Sequence, residues 1–165
     1  MTGHLVVVGT GPGAPEWMSP EVTSLVSSAS DIVGYKTYVD LLCDLLGPLA
    51  EGKTRHTSDN REELDRVRFA LDLAAEGRTV AVVSSGDPGV FGMAAAVFEV
   101  LDRDPRPAWR NVDVTVAPGI SAMFAAAARA GAPLGHDFAV ISLSDNLKPW
   151  ATVEARIEAA ARADF

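Results

Sequence analysis

Three short glycine-containing segments carry the residue types in this sequence that could hold a ligand. They read GTGPG at 9–13, SSGDPG at 84–89 and APGIS at 117–121. Each follows a strand-like pattern and precedes a helical one. Turns of this kind lie at the carboxyl ends of parallel strands, where open α/β sheets bind their ligands. We therefore expect the tips of several strands, far apart in the chain, to converge on one ligand site.

The first of these segments matches neither of two common nucleotide-binding motifs. After Gly9 and Gly11, a dinucleotide fingerprint requires a third glycine at position 14, where this chain has alanine. Pro12 and Pro15 also oppose a helix that starts in this loop. The Lys-Ser/Thr ending of a P-loop is missing as well. NAD and phosphate binding are therefore disfavoured, while a nucleotide-binding or purely structural α/β module stays an alternative interpretation.

Asp87 also has a purely structural interpretation. Asp-Pro is common in turns, and a carboxylate near the start of a helix over 89–104 would cap that helix. Pro118 followed by Gly119 is likewise a common helix start. A binding role is favoured by the three loops taken together, in this order and at these spacings.

The elements that would position the loops alternate along the chain. Strands are predicted at 4–9, 31–35, 79–85, 111–118 and 137–144, with a weaker one at 52–58. Helices are predicted at 20–28, 37–47, 61–76, 89–104, 119–133 and from 152 onward. These spacings suit right-handed βαβ crossovers, so the fold class is predicted to be α/β with a mostly parallel sheet.

Composition excludes several functional classes. The net charge of −8 disfavours nucleic-acid binding, which depends on Lys and Arg, although an acidic small ligand could still enter a locally positive cleft. The single cysteine, Cys43, cannot build a disulfide framework or a Cys-rich metal site and is expected in the core, so no metal is predicted. No apolar run approaches the roughly 18 residues of a membrane span. We expect a soluble, cytoplasmic protein that does not bind membranes.

The sequence resembles the tetrapyrrole methylases, which use S-adenosylmethionine to methylate intermediates of sirohaem and cobalamin synthesis. The shared segments are VVGTGPG at 7–13, SSGDPGVFG at 84–92 and PGISA at 118–122. Segments 33–42 and 131–150 look most like the branch that methylates precorrin-3B at C-17, with ring contraction to precorrin-4. The resemblance implies an S-adenosylmethionine-dependent methyltransferase of cobalamin biosynthesis. Another precorrin methyltransferase and an inactive α/β fragment are the alternatives.

The same resemblance implies a domain organisation. The family carries two α/β domains with the cofactor between them, and its second domain continues well past the position matching Phe165. We therefore expect an N-terminal α/β domain at 1–117 and the incomplete beginning of a second α/β domain at 118–165. The family is typically dimeric, so a homodimer is also implied.

Cofactor contacts are assigned by the resemblance, residue by residue, to Pro12, Ser85, Gly86, Asp87, Val90, Ser121 and Ala122. A carboxylate at position 87 could meet the ammonium group or a hydroxyl of S-adenosylmethionine, and glycine permits close backbone approach. The cofactor has no phosphate, so no phosphate-binding loop is required.

The implied substrate is a precorrin, an acidic tetrapyrrole with acetate and propionate arms. Candidate substrate-binding residues are Gly11, Gly13, Lys36, Lys53, Arg55 and Arg61. The basic residues among them could receive the carboxylate arms or could be solvated surface charges.

Ring contraction needs proton transfer in addition to methyl transfer. The nearest acid–base candidates in the sequence are His136, Asp137, Ser144 and Asp145. His136 could equally be a hydrogen-bonded structural histidine. Some sirohaem-branch relatives have an aspartate at the position of Lys36, so their proposed base cannot be carried over.

Overall fold

The computed structural model describes residues 3–59, 62–104, 106–145 and 148–165. The chain divides into two compact units, Met1–Ala125 and Ala126–Phe165. The domain boundary predicted after residue 117 stays a prediction.

The first unit is built on a five-stranded parallel sheet with the order β3-β2-β4-β1-β5. Its strands are β1 (His4–Gly9), β2 (Asp31–Tyr35), β3 (Thr54–Ser58), β4 (Thr79–Ser84) and β5 (Asp113–Ala117). Its helices are α1 (Pro20–Ser28), α2 (Lys36–Leu46), α3 (Glu63–Ala75) and α4 (Met93–Arg103). A fifth helix, α5 (Ala122–Arg129), crosses the boundary between the units. The predicted α/β class with a mostly parallel sheet is confirmed.

The core lies on both faces of the sheet. Leu5 and Val7 of β1 pack into one cluster with α3 and α4, and Val6 and Val8 pack into the other with α1 and α2. All four side chains are almost completely buried. A strand covered on both faces reads as a continuous apolar run, which is why β1 was recognisable from its sequence.

Helices α3, α4 and α5 begin later than predicted, α3 by two residues, and the later starts of α4 and α5 lie in the second and third loops. α4 begins at Met93, four residues after the predicted start at 89, because residues 88–92 form a turn in which the Pro88 carbonyl accepts a hydrogen bond from the Ala94 N–H at 3.0 Å. α5 begins at Ala122, three residues after the predicted start at 119. Residues 89–92 and 119–121, which lie between the predicted and the observed helix starts, belong to loops that could contact a ligand.

A buried carboxylate stabilises the amino-terminal edge of the sheet. Asp31, 1% exposed, accepts hydrogen bonds from His56 Nε2 at 2.8 Å, Arg78 Nη1 at 2.7 Å and the Ser30 hydroxyl at 2.7 Å. Burial by itself would raise the pKa of Asp31. The hydrogen bonds from His56, Ser30 and Arg78, together with the charge of Arg78, outweigh burial and hold that pKa below its ordinary value.

The second unit contains the end of α5 and one further helix, α6 (Trp150–Arg162). The strand predicted at 137–144 is wrong, because these residues have no regular structure and are largely exposed. A strand needs a neighbour to satisfy its backbone N–H and C=O groups, and the described residues of this unit include no other strand. Among the residues described in either unit, no helix combines the length and apolarity that crossing a bilayer requires.

Candidate functional site

The first two loops meet because β1 and β4 are neighbours in the sheet. Gly11 N–H donates to the Gly86 carbonyl at 3.2 Å, and Gly86 N–H donates back to the Gly11 carbonyl at 2.9 Å. Thr10 adds a hydrogen bond from its N–H to the Ser84 carbonyl at 3.0 Å. Thr10 is buried between the loops and was not singled out from the sequence, since a lone threonine beside glycine carries no distinctive pattern.

Asp87 connects the second loop to the third. Its Oδ1 accepts a hydrogen bond from Gly89 N–H at 2.8 Å, and its Oδ2 accepts one from Gly119 N–H at 3.1 Å. Gly119 lies 32 residues further along the chain. The carboxylate therefore holds 84–89 against 117–121. Each carboxylate oxygen can accept more than one hydrogen bond, so Asp87 retains the capacity to bind a ligand donor as well.

The backbones of all three loops approach closely at the glycines. A Cβ on Gly119 would lie 2.2 Å from the Gly86 carbonyl oxygen and 2.6 Å from that of Gly9. A Cβ on Gly9 would lie 2.6 Å from the Gly119 nitrogen. No larger residue fits at either position without displacing backbone, so glycine is required for the loops to converge.

Ser121 presents an unsatisfied polar group at this convergence. The residue is 6% exposed, and its Oγ has no hydrogen-bond partner among the described residues. A Cβ on Gly86 would lie 3.6 Å from the Ser121 Cα, so the second and third loops are in contact here. A buried hydroxyl without a partner costs about 1–3 kcal/mol. Such a cost is expected where a bound ligand completes the hydrogen bonding.

The other predicted cofactor residues lie in or beside the same three loops and differ in solvent exposure. Ser85, Val90 and Ala122 are exposed, and Pro12 is half-buried. Phe91, which the sequence did not single out, is 65% exposed and has a φ of 54°. A left-handed conformation at phenylalanine costs roughly 1–3 kcal/mol, and such strain is concentrated at functional sites. No single-sequence pattern distinguishes a strained phenylalanine from an ordinary one.

A cavity of about 430 Å³ adjoins the third loop. Residues 16–20, which lead into α1, form one side, and residues 118–120 form the other. Trp17, Met18 and Ile120 give it apolar walls. The site therefore combines polar loop groups with an apolar space beside them.

The predicted substrate residues do not all lie near the loops. Gly11 belongs to the loop contact described above, and Lys36 begins α2 at the carboxyl end of β2. Lys53 lies before β3 at the opposite edge of the sheet, where its Nζ donates to two carbonyls near the end of α1, at 2.6 and 2.8 Å. Arg55 is exposed in the amino-terminal half of β3. Arg61 lies outside the described residues.

Gly13, the remaining substrate candidate, has a φ of 107° in the first loop. A Cβ there would lie 3.8 Å from Leu41 Cδ2 of α2. The left-handed backbone favours glycine at this position, whether or not substrate contacts it.

The predicted acid–base residues belong to the second unit. His136, Asp137, Ser144 and Asp145 are all exposed there and lie outside helices. Their role in proton transfer stays a prediction.

Comparisons with known proteins agree with the loop pattern. A sequence profile of the Tetrapyrrole (Corrin/Porphyrin) Methylases matches residues 4–165. The precorrin-3B C(17)-methyltransferase of Sinorhizobium sp. is 53% identical over 165 residues, which make up 100% of this chain and 63% of that protein. The chain thus spans less than two thirds of that relative's length.

Solved structures share the fold. The crystal structure of the methyltransferase CobJ aligns with a TM-score of 0.90 and 54% identity, covering 99% of this chain and 65% of that one. A uroporphyrin-III C-methyltransferase from Thermus thermophilus, crystallised with S-adenosylhomocysteine, aligns with a TM-score of 0.59 and 28% identity, covering 82% and 54% of the two chains. From its loops, its sheet and a profile match over nearly its whole length, the chain belongs to the tetrapyrrole (corrin/porphyrin) methylases.

Proposed function

We propose that this chain is part of an S-adenosylmethionine-dependent methyltransferase of cobalamin biosynthesis that methylates precorrin-3B at C-17. The observation that carries the proposal is the buried hydroxyl of Ser121 at the point where the three loops meet, which has no hydrogen-bond partner in the described part of the chain. A loop junction built only to turn the chain has no need of such a group. The chain matches only 63% of the length of the Sinorhizobium relative, so the activity of the whole protein is part of the proposal.

The residues present fit S-adenosylmethionine. The cofactor carries cationic sulfonium and ammonium groups, hydroxyls and a carboxylate, but no phosphate. Asp87 supplies a negative charge that favours a cation, and Ser121 supplies a hydroxyl that can donate or accept. The glycines permit a ligand to approach the backbone closely. The crystallised Thermus relative supports this choice of cofactor, since its complex contains S-adenosylhomocysteine.

When bound, the cofactor supplies an activated methyl group, so the protein's contribution is mainly alignment. The Asp87 bridge keeps the second and third loops in register, and the paired hydrogen bonds between Gly11 and Gly86 keep the first and second together. These contacts restrict loop motion before any ligand arrives. The free-energy cost of ordering the loops when cofactor and substrate bind is then smaller.

Precorrin-3B is the proposed substrate because the Sinorhizobium relative bears that name at 53% identity. A second candidate is methylation of another tetrapyrrole, which the Thermus uroporphyrin-III enzyme exemplifies at 28% identity. The higher identity favours the first. A homodimer remains a prediction from the family resemblance, and a cytoplasmic location remains a prediction from the sequence.

The test uses the natural full-length protein with S-adenosylmethionine and a panel of precorrins. Mass spectrometry and NMR of the product are expected to show a new methyl group at C-17 of precorrin-3B and a contracted ring. Methylation of a different precorrin would identify the second candidate. Failure of the protein to bind S-adenosylhomocysteine by calorimetry would contradict the methyltransferase proposal itself.

A further inference from the structure

The hydroxyl of Ser84 joins the two ends of the second loop. Ser84 is the last residue of β4, and Met93 is the first residue of α4. The Ser84 Oγ accepts a hydrogen bond from the Met93 N–H at 3.4 Å, across the base of the loop formed by residues 85–92. Both residues are buried, so water does not readily replace this contact. The loop is therefore closed at its base by one buried side chain.

This hydroxyl takes the place of a helix cap. The first four N–H groups of an α-helix have no partner within the helix, and the side chain of the residue before the helix often accepts from one of them. Gly92 occupies that position before α4 and has no side chain to offer. The Met93 N–H donates to Ser84 instead, and the Ala94 N–H donates to the Pro88 carbonyl at 3.0 Å. The start of α4 is thus fixed by the strand end and by the loop itself.

Gly92 shows how closely the loop returns to its starting point. A Cβ at Gly92 would lie 2.6 Å from the Ser84 Oγ and 2.8 Å from the Pro88 carbonyl oxygen. A side chain at this position would therefore displace the hydroxyl or the loop backbone. Met93 is held through its side chain as well, because the Nη1 of the buried Arg66 lies 3.6 Å from the Met93 sulfur. The surroundings thus hold the donor and the acceptor of this hydrogen bond in place.

The backbone of Ser84 contacts the first loop. Its carbonyl accepts hydrogen bonds from the Thr10 N–H at 3.0 Å and from the Thr10 hydroxyl at 3.3 Å. One residue therefore connects the first loop, the second loop and the start of α4. A substitution that removes only the hydroxyl leaves the carbonyl in place, so closure of the second loop can be tested separately from its contact with the first.

We propose that Ser84 is a positioning residue for the cofactor, which it affects only through the loop that it closes. This inference rests on the proposed function, because the loop carries Asp87 and Val90, which are assigned to S-adenosylmethionine. A loop that is closed before the ligand arrives loses less conformational freedom on binding. Phe91 in the same loop has a φ of 54°, and such a strained conformation persists only where the surrounding structure maintains it. The Ser84 hydroxyl supplies part of that support.

The experiment uses the natural full-length protein and S-adenosylhomocysteine. Ser84→Ala removes the hydroxyl and keeps the carbonyl that accepts from Thr10. Val100→Ala is the control, because Val100 is a buried residue of the same helix and lies about 10 Å from Met93 along the helix axis. It destabilises α4 without removing the hydrogen bond at the start of the helix. Titration calorimetry measures affinity, and hydrogen–deuterium exchange with mass spectrometry measures the opening of residues 85–93 with and without ligand.

We expect Ser84→Ala to weaken S-adenosylhomocysteine binding by about 5-fold, as for the loss of one hydrogen bond. Without ligand, the amides of residues 85–93 should exchange faster in Ser84→Ala than in the wild type, because the loop is no longer closed at its base. Saturating ligand should reduce that difference. Val100→Ala should lower Tm and leave the affinity unchanged, since a purely structural loss in α4 does not open the loop.

Three results would overturn the positioning role and leave the proposed function standing. They are an unchanged affinity in Ser84→Ala, a weaker affinity without faster exchange of residues 85–93, and an equal loss of affinity in Val100→Ala. If the wild-type protein does not bind S-adenosylhomocysteine, the proposed function fails and the positioning role fails with it.

Discussion

Ser121→Ala should change ligand-free stability and cofactor affinity in opposite directions. In the ligand-free chain, Ser121 Oγ is buried without a hydrogen-bond partner among the described residues. Although Ser121 immediately precedes α5, the hydrogen bonds that Phe124 and Ala125 donate go to its backbone carbonyl. Alanine retains that carbonyl, so the substitution removes an unsatisfied group without removing a helix cap.

The size of both effects follows from the energetics of hydrogen bonding. Removing an unsatisfied buried hydroxyl should recover about 1 kcal/mol, the lower end of the usual range, and raise Tm by about 2–4 °C. Loss of one hydrogen bond to the cofactor should cost a similar free energy, which corresponds to an affinity for S-adenosylhomocysteine about 5-fold weaker. A structural serine with no ligand role would not produce this pair of opposite changes.

Scanning calorimetry and titration calorimetry on the natural full-length protein provide the two measurements. Ser24→Ala is the control, since Ser24 is an exposed serine of α1. It should alter stability by no more than about 0.5 kcal/mol, through helix propensity, and should leave cofactor affinity unchanged. A lower Tm for Ser121→Ala without ligand, or an unchanged affinity for S-adenosylhomocysteine, would refute the assignment of this hydroxyl.

The remaining predictions concern the loop junction and the buried acid. Gly119→Ala should lower the free energy of unfolding, measured by urea denaturation, by about 1–3 kcal/mol, because its Cβ would lie 2.2 Å from the Gly86 carbonyl oxygen. Gly135→Ala is the control and should be neutral, because a Cβ there would meet open space. Asp87→Ala should weaken S-adenosylhomocysteine binding at least 10-fold in titration calorimetry while the protein stays folded. Asp87→Asn keeps one acceptor oxygen and should weaken binding less. Equal effects of the two substitutions would argue against the bridging role of Asp87. Because the folded-state pKa of Asp31 is depressed, its contribution is complete above the unfolded pKa of about 4 and is lost as pH falls further, through the folded pKa. Urea denaturation should therefore show that Asp31→Asn destabilises the protein more at neutral pH than near pH 3, and a constant difference between these pH values would contradict the depressed pKa.

Much of the fold could be predicted because its local patterns are strong. The apolar run of β1 predicts a strand buried on both faces, and Ser19 followed by Pro20 predicts the start of α1, where Ser19 Oγ accepts from Val22 N–H at 3.1 Å. The strand predicted at 137–144 failed because alternation alone provides no hydrogen-bonding neighbour. Helix starts inside the loops were also misplaced, since glycine and proline there serve loop contacts rather than helix initiation.

The sequence by itself determined the alternation of strands and helices, the α/β class and the three loops that mark the family, because each depends on residues close together in the chain. The tertiary structure decided what those loops do to one another. The strand order puts β4, β1 and β5 side by side, so that Asp87 accepts a hydrogen bond from Gly119 and the hydroxyl of Ser121 is buried with no partner among the residues that the structure describes. Such contacts join residues tens of positions apart, and no local pattern encodes which of them will meet.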